Sequence, residues 1–227
     1  MRKVNAREKV IIVLSAFVLA LIIKGIFDFA GLKNINEIKE QLIAVLQYFG
    51  MILMMVIPDL LERKFHFHIP DHVYLSVTLF AFLALVCGNG LHFYRIFPWW
   101  DTAEHFVSGI SLGFLSYWLI DIVTSNRAHE HYFINTVLAI LIALGCGGIW
   151  EMIEYTSDGI QGTNFQRYMK TGRSVLKKTD KPRIGRDALY DTMKDIFVDF
   201  GGASVGAVIV YVYKIKTKDA PYKNKLE

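Results

Sequence analysis

Long uncharged apolar blocks separated by short polar segments set the pattern of this chain. Crossing the hydrocarbon of a bilayer takes about 20 mostly apolar residues in a helix, with a usual range of about 17–25. Six blocks approach that length: residues 10–23 (extending past Lys24 to about Phe29), 41–58, 73–91, 106–120, 133–150 and 196–213. Backbone polar groups inside lipid must be satisfied within their own segment, so these blocks predict helices. A membrane β-barrel would show short segments of alternating hydrophobicity, and the chain has none. The expectation is an all-α polytopic bundle of about six transmembrane helices, one integral membrane domain over residues 1–227. No internal repeat is visible. The first block lacks a small-x-small cleavage site and reads as a retained anchor, not a signal peptide.

The segments between blocks are short, with one exception. Residues 156–194 form a long polar connection dense in Gly, Lys and Arg, between the fifth and sixth predicted helices. Trp99 and Trp100, just before the fourth block, have the character of an interfacial aromatic anchor.

Composition sharpens this picture. Of 227 residues, 53% are hydrophobic and 20% charged, against about 45–50% and about 25% in soluble domains. Disorder and a disulfide scaffold are excluded. Cys87 and Cys146 both lie in apolar blocks, so there is no disulfide framework and no paired CxxC zinc site. The net charge of +4 is modest. It points to loop orientation, not to nucleic acid. With six spans both termini share one side. That side carries Arg2, Lys3, Arg7, Lys9, Arg63, Lys64, Arg127 and five C-terminal lysines, twelve in all. The other carries Lys24, Lys33, Lys39, Arg95 and nine from Arg167 to Lys194, thirteen in all. The rule weights short segments near helix ends and the first helix. The strongly basic tails therefore place the termini in the cytoplasm, although the basic fifth loop pulls the other way.

Ionisable residues gather at the ends of three predicted helices. Asp101, Glu104 and His105 begin the fourth; Glu151 and Glu154 end the fifth, with Asp158 just beyond; Asp187, Asp191, Asp195 and Asp199 lead into the sixth. By block count all three groups lie on one membrane face, whichever way round the chain sits. Asp101 and His105 are four residues apart and share a helix face, as do Glu151, Glu154 and Asp158. Small residues at four-residue spacing, Gly109 with Gly113 and Gly202 with Gly206, predict close helix packing. Asp195, Asp199, Gly202 and Gly206 fall on one side of the sixth helix, so its acidic stripe should run into its packing stripe.

Some of these acids have a structural explanation. Asp101-Thr-Ala-Glu104 has the form of a capping box with Asp101 as N-cap, and the dipole at a helix start favours Asp191 and Asp195. Neither account covers Glu151 and Glu154, which end a helix where the dipole disfavours carboxylates, nor Asp199, about a turn inside its block. Acids at such depth pair, face a wet cavity or do work. They need a metal, His105, or a base such as Arg95 or Arg186. A divalent ion is the most economical partner. Asp, Glu and one His suit Mg²⁺ or Mn²⁺, or zinc if His105 takes part.

Weaker signals lie elsewhere. His66, His68, His72, His129 and His131 occupy loops on the opposite face and read as solvated histidines. His92 is a spare ligand on the acid side. The basic run from Arg167 to Arg186 could hold anionic headgroups. No P-loop or nucleotide fingerprint occurs, and Ser108 reads as a packing residue, not as part of a serine triad.

Asp101-x3-His105-Phe106, Trp150-Glu151-x2-Glu154 and Asp191-Thr192-x2-Asp195, ending in Gly201-Gly202-Ala203, resemble the YjdF-like family of bacterial inner-membrane proteins. The likeness covers roughly residues 95–210. That family is small, polytopic and without an established activity. The opening Asp-x3-His-Phe is also similar to the VanZ-like family, linked to glycopeptide resistance. The resemblance implies Asp101, His105, Glu151, Glu154, Asp191 and Asp195 as site residues. The stretch 163–186 is longer than either family leads one to expect.

Three functions stay open on these residues. In the first, a metal held by Asp101, His105, Glu151, Glu154 and Asp191 or Asp195 activates water. His105 and Glu154 then serve as catalytic groups, with Glu154 as general base, and the enzyme hydrolyses or transfers the headgroup of a lipid or envelope precursor. In the second, the acids carry protons or cations in a coupled transporter. In the third, they form a structural ion site in a non-catalytic envelope factor.

Overall fold

The computed structural model describes residues 6–32, 35–124, 131–172 and 176–218. Arg127, His129 and Arg173, together with the first and last residues of the basic tails, lie outside the described residues. The chain is all-α. Among the described residues seven α-helices follow in order: α1 (Ala6–Asp28), α2 (Ile35–Phe65), α3 (Asp71–Ala81), α4 (Phe93–Ile96), α5 (Trp100–Val123), α6 (Tyr132–Gln161) and α7 (Tyr190–Lys218). A π-helical stretch, Phe82–Gly90, continues α3. Among the described residues six spans are long and apolar enough to cross a membrane: Arg7–Gly31, Gln41–Phe65, Asp71–Gly90, Trp100–Val123, Tyr132–Gln161 and Tyr190–Thr217. Their outward faces carry large apolar side chains such as Phe27, Val123, Phe133 and Ile160. Such continuous exposure fits lipid and not water.

The helices outrun the apolar blocks that announced them. The fourth block, 106–120, sits inside Trp100–Val123, and the fifth, 133–150, inside Tyr132–Gln161. Extending a formed helix gains one hydrogen bond per residue fixed, whereas starting one is costly. Helix therefore continues through the charged flanks, and the acids lie on helix and not in loops. Because α5 starts at Trp100, Asp101 sits in its first turn and not at the N-cap. Glu104 accepts the Tyr94 hydroxyl.

The chain groups into two compact units, Met1–Glu104 and His105–Glu227. In the first, α1, α2 and the π-helical stretch share an apolar core centred on Val18, Met51, Met55 and Val86. Arg7 is buried at the start of α1. Its guanidinium pairs with Asp59 and, at 2.9 Å, with Glu62, and lies 3.8 Å from the centroid of the Tyr74 ring. Glu62 also accepts the backbone N–H of Ile69. The network ties the start of α1 to the end of α2 and to the turn before α3.

In the second unit α5 and α7 touch backbone to backbone. A Cβ on Gly109 would lie 2.5 Å from the Asp199 carbonyl oxygen, and one on Gly113 would lie 2.8 Å from that of Ala203. Gly202 and Gly206 face Phe106 and Ile110 from the other side just as closely. The two small-residue pairs seen in the sequence are thus the two halves of one contact. Further along, Tyr117, Ile120, Ala139 and Ala207 form an apolar core, and Lys214 pairs with Asp121 over the Tyr117 ring.

Candidate functional site

The buried stripe of α6 passes through Ala139, Ala143, Gly147, Glu151, Glu154 and Asp158. It is one helix face at three- and four-residue spacing, apolar at its start and acidic at its end. On α7 the buried stripe runs Asp191, Asp195, Asp199 and then the small residues Gly202, Ala203 and Gly206. On α5 it runs Asp101, His105, Ser108 and Gly109. The deepest acids, Asp195 and Asp199, are each 2% exposed.

His105 stands between two of these acids. Its Nδ1 lies 3.2 Å from Asp199 Oδ2 and its Nε2 lies 4.0 Å from Asp195 Oδ2. The Ser108 hydroxyl reaches Asp199 Oδ1 at 3.0 Å and its own helix at the His105 carbonyl, 2.8 Å away. Serine and histidine thus meet on one aspartate, on the Nδ1 side of the ring. That is not the arrangement of a serine nucleophile facing its base. Asp101 lies one turn ahead of His105 on the unbroken α5 helix. His105 and Asp195 each offer one ligand atom, within 4.8 Å of one another.

The other predicted residues take distinct places. Glu151 Oε2 receives the Gln166 side-chain amide at 3.3 Å, while its Oε1 is buried with no hydrogen-bond partner among the described residues. Glu154 is buried on the same stripe. Asp191 is held by two cations, Lys194 Nζ at 3.3 Å and Arg167 Nε at 3.7 Å, and the same Lys194 lies 3.3 Å from Asp195. Asp158 belongs to the connection. It accepts the Thr163 hydroxyl at 2.7 Å and the backbone N–H groups of Phe165 and Gln166. Asp187 is exposed, and His92 precedes α4 in the left-handed region, φ 59°. Among the described residues, His66, His68, His72 and His131 form no ligand group. His129 lies outside the described residues.

The described parts of the long connection are folded. α6 closes on Gly162, at φ 64°, where a left-handed residue suits glycine. Asn164 is fully buried. It donates to the carbonyls of Thr171 and Gly172 and accepts the N–H of Met169. Residues 168–170 then pair antiparallel with residues 181–183. This brings Gln166 over the acids, where its amide donates to the Glu151 backbone carbonyl and side chain and to the Thr192 hydroxyl. Gln166 and Asn164 carried no sequence signal, because their partners lie in other segments of the chain; Thr192 stood in the Asp191-Thr192-x2-Asp195 motif but was given no role there.

The family of predicted membrane proteins designated DUF2238 matches residues 9–216. The chain belongs to that family. The YjdF-like proteins fall within it, so the match supports the first resemblance read from the motifs and lends none to the VanZ-like one. A protein of Thermotoga maritima described only as uncharacterized is 26% identical over 175 residues, covering 77% of this chain and 80% of its own. No solved structure matches the chain.

Proposed function

We propose that the cluster at the junction of α5, α6 and α7 holds one divalent metal ion. On this reading the protein hydrolyses or transfers the anionic headgroup of a lipid or envelope precursor. The observation that carries it is His105 within 4.8 Å of Asp195, donors from α5 and α7; Asp101, one turn ahead of His105 on the same helix, adds a second carboxylate. Two carboxylates and an imidazole form a donor set for zinc, or for Mn²⁺ or Mg²⁺ with added oxygens. Glu151 Oε1, buried and without a hydrogen-bond partner among the described residues, supplies a further oxygen. A buried carboxylate oxygen without a hydrogen bond is costly, and a cation relieves that cost.

A divalent ion in such a site supplies Lewis acidity and a water made acidic near neutral pH. The protein's own groups do the rest. Glu154, three residues beyond Glu151 on the same buried stripe, serves as general base for the attacking water. Asp191 holds Arg167 and Lys194 beside the acids, where two cations suit a phosphate-bearing headgroup. The exposed basic residues Lys181, Arg183 and Arg186 add attraction for anionic lipid. The protein sits in a bacterial inner membrane with both termini in the cytoplasm, which puts the acids on the outer side.

A second reading rests on Lys194, which lies 3.3 Å from both Asp191 and Asp195. Acids already facing a lysine fit a metal-free ion-pair network, in a non-catalytic envelope factor or a proton- or cation-coupled carrier. Elemental mass spectrometry of the detergent-purified protein separates the two. About one divalent metal per chain, lost in Glu151→Ala and Asp195→Ala without unfolding, supports the metal site and justifies assays of headgroup release. No metal after loading with Mg²⁺, Mn²⁺ and Zn²⁺ overturns it, and ion flux into sealed vesicles becomes the next assay.

A further inference from the structure

Asp199 is the only charged residue in the apolar run 196–213, and it is 2% exposed. A carboxylate at such depth is tolerated when it is paired and hydrogen-bonded. Three helices provide for it. α5 supplies His105 Nδ1 at 3.2 Å and the Ser108 hydroxyl at 3.0 Å. α6 supplies room: a Cβ on Gly147 would fall 2.6 Å from Asp199 Oδ2, so only glycine leaves that oxygen where it is. α7 brings its own backbone within touching distance of Gly109.

We infer that Asp199 is a positioning residue: it holds the proton of His105 on Nδ1 and thereby presents Nε2 as the ring's ligand atom toward Asp195. The Asp199 oxygen 3.2 Å from Nδ1 accepts a hydrogen bond from the ring when Nδ1 carries the proton. With one proton on the ring, the lone pair is then on Nε2. The separation of 4.0 Å between Nε2 and Asp195 Oδ2 is too long for a hydrogen bond. It is within the span of about 4.2 Å that two donors at about 2.1 Å from one ion can reach, and a tetrahedral zinc would draw them to about 3.4 Å. Carboxylate partners of this kind fix the tautomer and raise the basicity of metal-bound histidines. Ser108 and Gly147 act one step further out, the first by holding Oδ1 and the second by leaving space for Oδ2.

The role of Nε2 as a ligand rests on the metal reading proposed above; the proton on Nδ1 does not. Two measurements keep them apart. The first is ¹⁵N NMR of histidine-labelled protein in detergent, with His105→Gln used to assign the signal, without metal and with Zn²⁺. A proton on Nδ1 in both states, with Nε2 shifted by zinc, is expected. A neutral ring with its proton on Nε2 overturns the inference. The second is zinc affinity by competition for the wild type, Asp199→Asn and Gly147→Ala, with the melting temperature of each metal-free protein as control. A loss of roughly 10–100-fold in both variants is expected. Rescue of Gly147→Ala by Asp199→Asn would not be expected, because the smaller charge does not restore the space. Unchanged affinity in both variants, with the wild type binding, overturns the inference. A wild type that binds no zinc while Nδ1 carries the proton refutes the metal reading and leaves the role of Asp199 standing.

Discussion

Gly147 on α6 leaves the space that the Asp199 carboxylate of α7 fills: a Cβ there would lie 2.6 Å from Oδ2 and 3.1 Å from Cγ. Neighbouring Gly145 and Gly148 have nothing within 4 Å of the same position. Gly147→Ala is therefore expected to lower the melting temperature in detergent, at a cost of about 1–3 kcal/mol for forcing a packed interior apart. Gly148→Ala should be neutral or slightly stabilising, since alanine is the better helix former. Equal effects of the two would mean that the close approach does not matter to stability.

The contact between α5 and α7 makes a parallel prediction. Gly202→Ala would drive a methyl group against the Phe106 carbonyl oxygen, and Gly206→Ala would do the same at Ile110. Both obstacles are backbone and cannot rotate aside. Each variant should destabilise by about 2 kcal/mol or more, read as a lower melting temperature. Gly201→Ala, whose nearest neighbour would be the Phe106 ring at 4.0 Å, should not.

Asn164 makes three backbone hydrogen bonds from a fully buried position. Asn164→Ala leaves their partners unsatisfied at about 1 kcal/mol or more each. The pairing of residues 168–170 with 181–183 should loosen while the transmembrane helices persist. Limited trypsin digestion should cut after the Lys and Arg of this stretch roughly 30-fold faster, as expected for about 2 kcal/mol of local stability when opening is fast. Unchanged cleavage would show that Asn164 does not hold the connection.

Arg7 lies within the first unit, buried among Asp59, Glu62 and the Tyr74 ring. Removing it strands two carboxylates. Arg7→Met should cost about 3 kcal/mol, seen as early thermal unfolding. Arg7→Lys should recover only part of that, since a lysine cannot match the forked contact. Full recovery by lysine would reduce the network to simple charge balance.

The proposed orientation, read from the basic tails, has both termini in the cytoplasm. A C-terminal reporter active only in the cytoplasm should therefore be active, and a periplasmic phosphatase fused at the same point should not. The reverse result would turn the acid end toward the cytoplasm.

The six spans were legible because lipid demands uninterrupted apolar length, and residues 41–58 or 133–150 meet that demand without help from the rest of the chain. The acidic stripes were legible too, since spacing of three and four residues fixes a helix face before any neighbour is known. Helix limits were not. Asp101 looked like an N-cap, but the helix begins before it, a choice made by the whole first turn. The acid groups were expected together, yet spacing could not say which acid meets which base. Asp191 goes to Arg167 and Lys194, whereas Asp199 goes to His105 and Ser108. The connection was read as a polar loop because its order comes from pairs such as Asp158 with Phe165 and Gln166, and Lys170 with Lys181. No periodicity records such pairs.

The length of α6 bears on the work its acids would do. Its 30 residues extend about 45 Å at about 1.5 Å each, against about 30 Å of hydrocarbon. The stretch from Tyr132 to Trp150 alone covers about 28 Å, so a helix that enters the hydrocarbon at Tyr132 and runs along the membrane normal would bring Glu151 and Glu154 to the level where acyl chains give way to glycerol and phosphate. A lipid held there keeps its tails among their neighbours. Chemistry on its headgroup then needs no desorption, a step that costs about 0.8 kcal/mol for every methylene drawn into water.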